Sequence, residues 1–271
     1  MLFLLLFAAA AANDTPSVDD ILRKVVERAA WDDAHKAEKN YVWTRHMINE
    51  EFDSNGAVKS RVDMRQQIVP LGQGKRSFRL LERDGKPVSE AERKAQFEKE
   101  QKALAGEGQN KKAAKKRNGS DDDVPINAAL LAKYNWKFLG EEAIAGRPAY
   151  QLAFEPKSKD LPVNRMPDRV LNKLAGKVWI DATDFEISRA DAHLTENASL
   201  WGGLAGTLRR VDIFFEQARM DEGPWLPRVF NIQIDGRIVV KPMRFHQMEE
   251  MSDFRKITPE LIAESLQPLR R

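Results

Sequence analysis

The chain of 271 residues contains no cysteine, three tyrosines and four histidines, and its charges nearly cancel, 44 Lys and Arg against 41 Asp and Glu. Without cysteine there is no disulfide framework, no thiol nucleophile and no thiolate metal site. The histidines, His35, His46, His193 and His246, are scattered with no H-E-x-x-H or similar spacing, so no metal is expected. A G-x-S-x-G elbow and a Walker loop are also missing. Gly202-Gly-Leu-Ala-Gly206 is glycine-rich but lacks the lysine and the strand-to-helix setting of a phosphate cradle, and reads as a connection or a strand bend. Glu141 and Glu142 are adjacent on an expected strand end, where neighbours point to opposite faces, so they do not share one proton or one metal. No motif supports an enzyme, and no cofactor is expected. A net charge of +3 is not the footprint of a nucleic-acid binder.

Long apolar runs are missing too. The longest, MLFLLLFAAAAA over residues 1–12, falls short of the roughly 20 residues a membrane-spanning helix needs. Its apolar core and small-residue end match a secretory signal cut after Ala12, leaving residues 13–271 as one exported, soluble domain in the periplasm. No Lys or Arg precedes the run, as when a start codon is placed late. A lipoprotein would need Cys at the cut.

Hydrophobic periodicity organises the rest of the chain. Ser17 is placed to cap a helix whose apolar face is Val18, Ile21, Leu22, Val25 and Ala29. From Tyr41 the period becomes two: Tyr41, Trp43 and Met47, then Val62, Met64 and Ile68, then Phe78 and Leu80, with turn signals between. Residues 89–123 interrupt the pattern with a highly charged helix that starts at Ser89-Glu-Ala-Glu92 and runs to about Leu104, then a basic run, 111–117, meeting Asp121-Asp-Asp123. This stretch reads as a charged, mobile insertion, although a basic patch suits phospholipid headgroups. Strands resume at Trp136 and Tyr150, with hairpin signals at Ala145-Gly146, Asp181-Ala-Thr-Asp184, Gly223-Pro-Trp225 and Asp235-Gly-Arg237, and a closing helix from Thr258-Pro-Glu260. About ten alternating strands with few helices specify a mainly β fold: an open, curved antiparallel sheet flanked by helices.

Such a sheet has one face that needs cover. Trp43, Met47, Phe78, Phe138, Tyr150, Phe154, Phe214, Phe230 and Phe245 stand at alternating strand positions. Taken singly each fits a core; together they exceed what the few helices hide, which leaves a hydrophobic cavity as one use of the surplus. Arg45 and Arg189 also fall on strands, where an arginine stays in solvent or pairs a ligand carboxylate.

Several segments resemble a known family. Gly140-Glu-Glu-Ala-Ile-Ala-Gly-Arg-Pro-Ala-Tyr-Gln-Leu-Ala-Phe-Glu-Pro-Lys157, Leu174-Ala-Gly-Lys-Val-Trp-Ile-Asp181, Trp225-Leu-Pro-Arg228 and Asp235-Gly-Arg237 resemble the exported bacterial outer-membrane lipoprotein-sorting proteins, the LolA-like group. The likeness runs from about Asp19 to Phe254, outside the charged insertion. It implies an incomplete β-barrel with a helical lid over an apolar cavity, and a periplasmic carrier of lipid or lipoprotein acyl chains that touches the membrane peripherally. The alternative it implies is an envelope stress sensor or interaction module, with a protein partner and no lipid cargo.

Overall fold

Among the described residues, alternating apolar and polar residues are realised as twelve strands in one sheet. The structure is a computed structural model that describes residues 16–72, 75–104, 125–200, 206–221, 223–239 and 241–258. The signal-peptide expectation at 1–12, the charged block at 105–123, nearly all of the glycine-rich run at 202–206 and the body of the closing helix lie outside the described residues. No helix among those residues is long and apolar enough to cross a membrane.

Helix α1 (Val18–His35) is capped by Ser17, whose hydroxyl accepts from the Asp20 N–H, and it ends at Lys36 in a left-handed conformation. Strands β1 (Tyr41–Phe52), β2 (Val58–Gly72), β3 (Lys75–Arg83) and β4 (Lys86–Pro87) form a meander, and α2 (Glu90–Leu104) follows it. After the short α3 (Ala128–Leu131) come β5 (Tyr134–Ile144) and β6 (Arg147–Pro156), then α4 (Asp168–Leu171), β7 (Leu174–Asp181) and β8 (Ile187–Leu194). The last strands are β9 (Ala198–Leu200), β10 (Gly206–Arg219), β11 (Trp225–Ile238) and β12 (Lys241–Lys256). The sheet order is β4-β3-β2-β1-β12-β11-β10-β8-β7-β6-β5, with β9 on β10, and the paired neighbours are antiparallel. The final strand therefore returns to lie beside the first.

Two hairpins follow their turn signals closely. Asp84 and Gly85 take φ of 51° and 72°, Ala145 and Gly146 take 49° and 79°, the paired left-handed residues a tight hairpin requires. The expected turn at Asp235-Gly-Arg237 is not one. These residues lie inside β11, and the chain reverses after Ile238. A Cβ on Gly236 would stand 2.5 Å from the Thr207 carbonyl oxygen, so this glycine admits the backbone of β10 at close range.

Register fixes the faces. Leu152 lies opposite Val178, Val178 opposite Ala190, Ala190 opposite Phe215, Phe215 opposite Phe230, Phe230 opposite Glu249, Glu249 opposite Met47, and Met47 opposite Met64. Directly paired residues share a face. Ile21 and Val25 of α1 pack on the Leu152 and Val178 end of this row together with Ile180, so the row marks the inner face. Burial of those two helix residues contributes about 1.5–3 kcal/mol each.

The insertion begins as structure. Ser89 and Glu92 cap α2 reciprocally, Glu92 accepting from the Ser89 N–H and Ser89 Oγ from the Glu92 N–H. Gln96 then covers the edge of β3, its Oε1 accepting from the Leu80 N–H at 2.7 Å and its Nε2 donating to the Leu80 carbonyl at 3.4 Å. Glu100 holds Arg79 in an ion pair at 2.7 Å with both side chains almost fully buried (6% and 7% exposed). Through Gln96 and Glu100, α2 thus guards the edge of β3.

The far end of α1 is latched to the sheet by charge. Arg28 Nε lies 3.0 Å from Glu186 and its Nη2 2.8 Å from Asp32, while Gln217 donates to Glu186 at 2.6 Å. Burial, joined by the Asp32 carboxylate, pushes the Glu186 carboxyl up to about 7, against the pull of Arg28 and Gln217. A carboxyl raised on folding binds more protons folded than unfolded, so its contribution is complete below the unfolded value and is lost as pH rises through about 7. Wild-type stability should fall by about 1–3 kcal/mol relative to Glu186→Gln between pH 5 and pH 8. Thermal melts of both proteins across that window check this; parallel profiles would refute it.

Candidate functional site

The inner face divides into two halves. Over β5 to β8 it is filled. Trp136, Phe138, Tyr150, Phe154 and Phe185 pack around the buried Ile21, Val25, Leu152, Val178 and Ile180, and the Phe154 ring meets Tyr134 edge-on at 5.3 Å. Over β10, β11, β12, β1 and β2 it is filled only at its ends, around Val211 and around Trp43. Val211, Ile213 and Phe215 of β10 face Ile234, Ile232 and Phe230 of β11, and Met47 faces Met64 across β1 and β2. Of these only Val211 is buried; the others are half-buried, and Phe215, Met47 and Met64 belong to no packed cluster. Val170 of α4, with Leu194 and Leu200, packs over the Val211, Ile213, Ile232 and Ile234 end of this stretch.

The nine residues singled out from the sequence separate accordingly. Phe138, Tyr150 and Phe154 are core beneath α1. Trp43, 6% exposed, packs with Ile68, Met251 and Phe254 and closes one end of the open half, with Phe230 against the same cluster. Met47 and Phe245 lie along the open half, and Phe78, 44% exposed, walls a 590 Å³ groove between β3 and α2 with Leu80, Arg76 and Ala95. Phe214 does not join them. It pairs with Asp191 on the outer face, its ring 5.8 Å from the Arg189 guanidinium, which also pairs Glu216 at 2.6 Å and lies over Trp179 at 5.5 Å. The run Ile213-Phe214-Phe215 offers two apolar parities, and the inner one takes Ile213 and Phe215. Glu141 and Glu142 diverge as expected: Glu141 pairs with Tyr150, and Glu142 accepts from the Trp179 indole at 2.7 Å.

A polar row crosses the open half, invisible to sequence because its members are far apart in the chain. Arg45 donates to Glu249 at 3.3 Å and to Gln66 at 2.5 Å, and Gln247 donates to Glu249 at 2.7 Å. The Arg45 guanidinium sits 5.2 Å from the Phe78 ring. Glu249 is 11% exposed in its side chain and Arg45 21%. Among the described residues, Arg45 Nε and Asn49 Oδ1 are buried with no hydrogen-bond partner. Apolar walls with a few convergent polar groups are what a site for an amphiphile needs.

Arg147, Asp181 and Trp225, one residue from each of three segments carrying the family resemblance, meet elsewhere, at one end of the sheet, whereas Asp235-Gly-Arg237 lies at the far end of β11. Asp181, 1% exposed, accepts from Arg147 Nε at 2.6 Å and Nη2 at 2.8 Å and from the N–H groups of Asp184 and Thr183. Burial alone would raise this carboxyl; the Arg147 bonds and the two N–H groups outweigh it and hold it below the usual carboxylate range. Asp184 in turn binds Arg147, Arg219 and the Trp225 indole. This cluster fixes hairpins. Among the described residues no group of three or more His, Asp or Glu is placed to hold a metal.

No protein-family model matches the chain, and no curated protein does. Solved structures do. A DUF1329 family protein from Desulfovibrio piger is 15% identical with a TM-score of 0.35, covering 93% of this chain and 100% of that one. A LolA superfamily protein from Nitrosomonas europaea is 12% identical with a TM-score of 0.31, over 89% of this chain and 96% of that one. The chain is likewise similar to a domain named for outer membrane lipoprotein sorting from Vibrio parahaemolyticus, 14% identical with a TM-score of 0.32 over 90% of this chain and 99% of that one.

Proposed function

We propose that this chain is a non-enzymatic binding or carrier protein of the bacterial periplasm that holds the acyl chain of a lipid or lipoprotein along the open half of its inner face. One observation carries the reading: on the inner side of β10, β1 and β2, Phe215, Met47 and Met64 stand half-buried and outside every packed cluster of the described residues. Side chains of this size left against water forgo about 1.5–3 kcal/mol each on full burial, and an acyl chain laid across them recovers part of that. Nothing covalent is needed. Loading and release follow from differences in binding free energy between this face and the donor or acceptor.

The test is native mass spectrometry of the full-length protein purified from a bacterial envelope without detergent exchange. A mass increment that dissociates as an acyl lipid is expected. Protein recovered only as the bare chain, and unable to take up a fluorescent fatty acyl probe afterwards, would refute the reading and turn attention to a protein partner for the same face.

A further inference from the structure

The groove between β3 and α2 adjoins the open half with no strand between them. Phe78 stands opposite Ile68 of β2, Leu80 opposite Gln66 and Arg83 opposite Met64, so the β3 wall of the groove continues the row that carries Met64 and Met47. Its 590 Å³ fall within the roughly 300–1,000 Å³ usual for a small-ligand site.

Two cations flank this junction, and they differ. Arg45, over the Phe78 ring, is matched by Glu249 at 3.3 Å. Arg76, half-buried over Trp43 at 4.9 Å, has Glu38 at 3.5 Å. Burial draws the Arg76 guanidinium below its ordinary value by more than Glu38 restores, so its charge is under-compensated. The acids lining the groove are already engaged: Glu92 faces Arg83 at 3.6 Å, and Glu100 is held in the buried pair with Arg79 at 2.7 Å. Lys99 of α2 lines the same groove, exposed, with no ion pair or hydrogen bond among the described residues. A phosphate has oxygens enough for the planar fork of an arginine and the point charge of a lysine together.

We propose that this groove is the head-group subsite of the acyl site, where Arg76 and Lys99 hold the phosphate of a phospholipid while its chain passes Phe78 onto Met64 and Met47. This rests on the acyl-chain reading above and adds the class of head group, an anionic phosphate.

Displacement of a fluorescent acyl probe from the full-length protein at low ionic strength tests it. Dodecyl phosphate and 1-monolauroyl glycerol, each below its micellar concentration, are the chain-matched competitors, and inorganic phosphate is the head alone. For the wild type, dodecyl phosphate should compete at least tenfold better than the glycerol ester. In Arg76→Gln/Lys99→Gln that preference should collapse to twofold or less. Because Arg76 also packs on Trp43, Lys99→Gln on the exposed side of α2 is the second arm: with a wild-type circular dichroism spectrum, it should weaken dodecyl phosphate at least threefold. Equal competition by the two amphiphiles in the wild type overturns the proposal, as does a preference undiminished in the folded variants. Inorganic phosphate binding as tightly as dodecyl phosphate would make the groove a site for the free ion and overturn the lipid head. If neither amphiphile nor the probe binds, it is the acyl-chain reading itself that fails.

Discussion

Phe215→Glu is expected to abolish acyl-chain binding while leaving the fold in place. Phe215 is half-buried on the open half of the inner face and belongs to none of the packed clusters, so a carboxylate there reaches water and does not break a core. With ligand present the same carboxylate is stripped of that water, and affinity should drop by two orders of magnitude or more, about 3 kcal/mol. Two flanking controls give this its force. Phe214→Glu alters the neighbouring residue on the outer face, beside Arg189, and should bind like the wild type. Phe154→Glu puts a charge among Tyr134, Trp136 and the buried residues under α1, and should fail to fold. Probe fluorescence and circular dichroism on the three variants read out both properties. Equal loss of binding in Phe214→Glu and Phe215→Glu would remove the distinction between faces.

Arg147→Met should cause a large loss of stability. Asp181 is 1% exposed, and removing its bidentate partner leaves a buried carboxylate with only the Thr183 and Asp184 N–H groups. Breaking a buried pair costs about 3–5 kcal/mol; since Arg147 is 31% exposed and water enters on its side, about 2–4 kcal/mol is expected here. The pH dependence should shift as well. In the wild type the depressed Asp181 carboxyl contributes stability that is present above the unfolded value near 4 and is lost as pH falls through its lower folded value; in the variant that contribution disappears. Urea unfolding at pH 7 and at about pH 3 measures both. A change within about 0.5 kcal/mol at pH 7, the size usual for a surface substitution, would contradict the account.

These two sites differ in how far the sequence reveals them. The Arg147 and Asp181 cluster is legible as motif without being legible as mechanism: Gly146-Arg-Pro and Trp179-Ile-Asp stand out, and only the fold shows that they meet. The strands are legible because period-two alternation is a local signal. Their faces are not. Irregularities in register at Val42/Thr44, Phe138/Gly140, Leu208/Arg210 and Glu216/Gln217 reset the parity along the strands, and in Ile213-Phe214-Phe215 an apolar residue is available to either face. That is why alternation alone groups Phe214 with residues on the other side of the sheet. The Asp235-Gly236 pair misleads for a related reason, because glycine serves close backbone approach as readily as reversal. The strands Lys86–Pro87 and Ala198–Leu200 are too short to show any period. The polar row has no sequence signal at all, since Arg45 and Glu249 are 204 residues apart and each alone reads as a solvated strand residue.

Photolabelling tests the central claim most directly. A phospholipid carrying a diazirine midway along one acyl chain, bound to the full-length protein, irradiated and mapped by peptide mass spectrometry at residue resolution, reports where the chain lies. Saturable labels on Met47, Met64, Phe215 and Ile232, competed away by unlabelled lipid, are predicted. Labels confined to outer-face residues such as Phe214 and Met248, or labelling that no competitor reduces, would contradict an acyl site on the inner face.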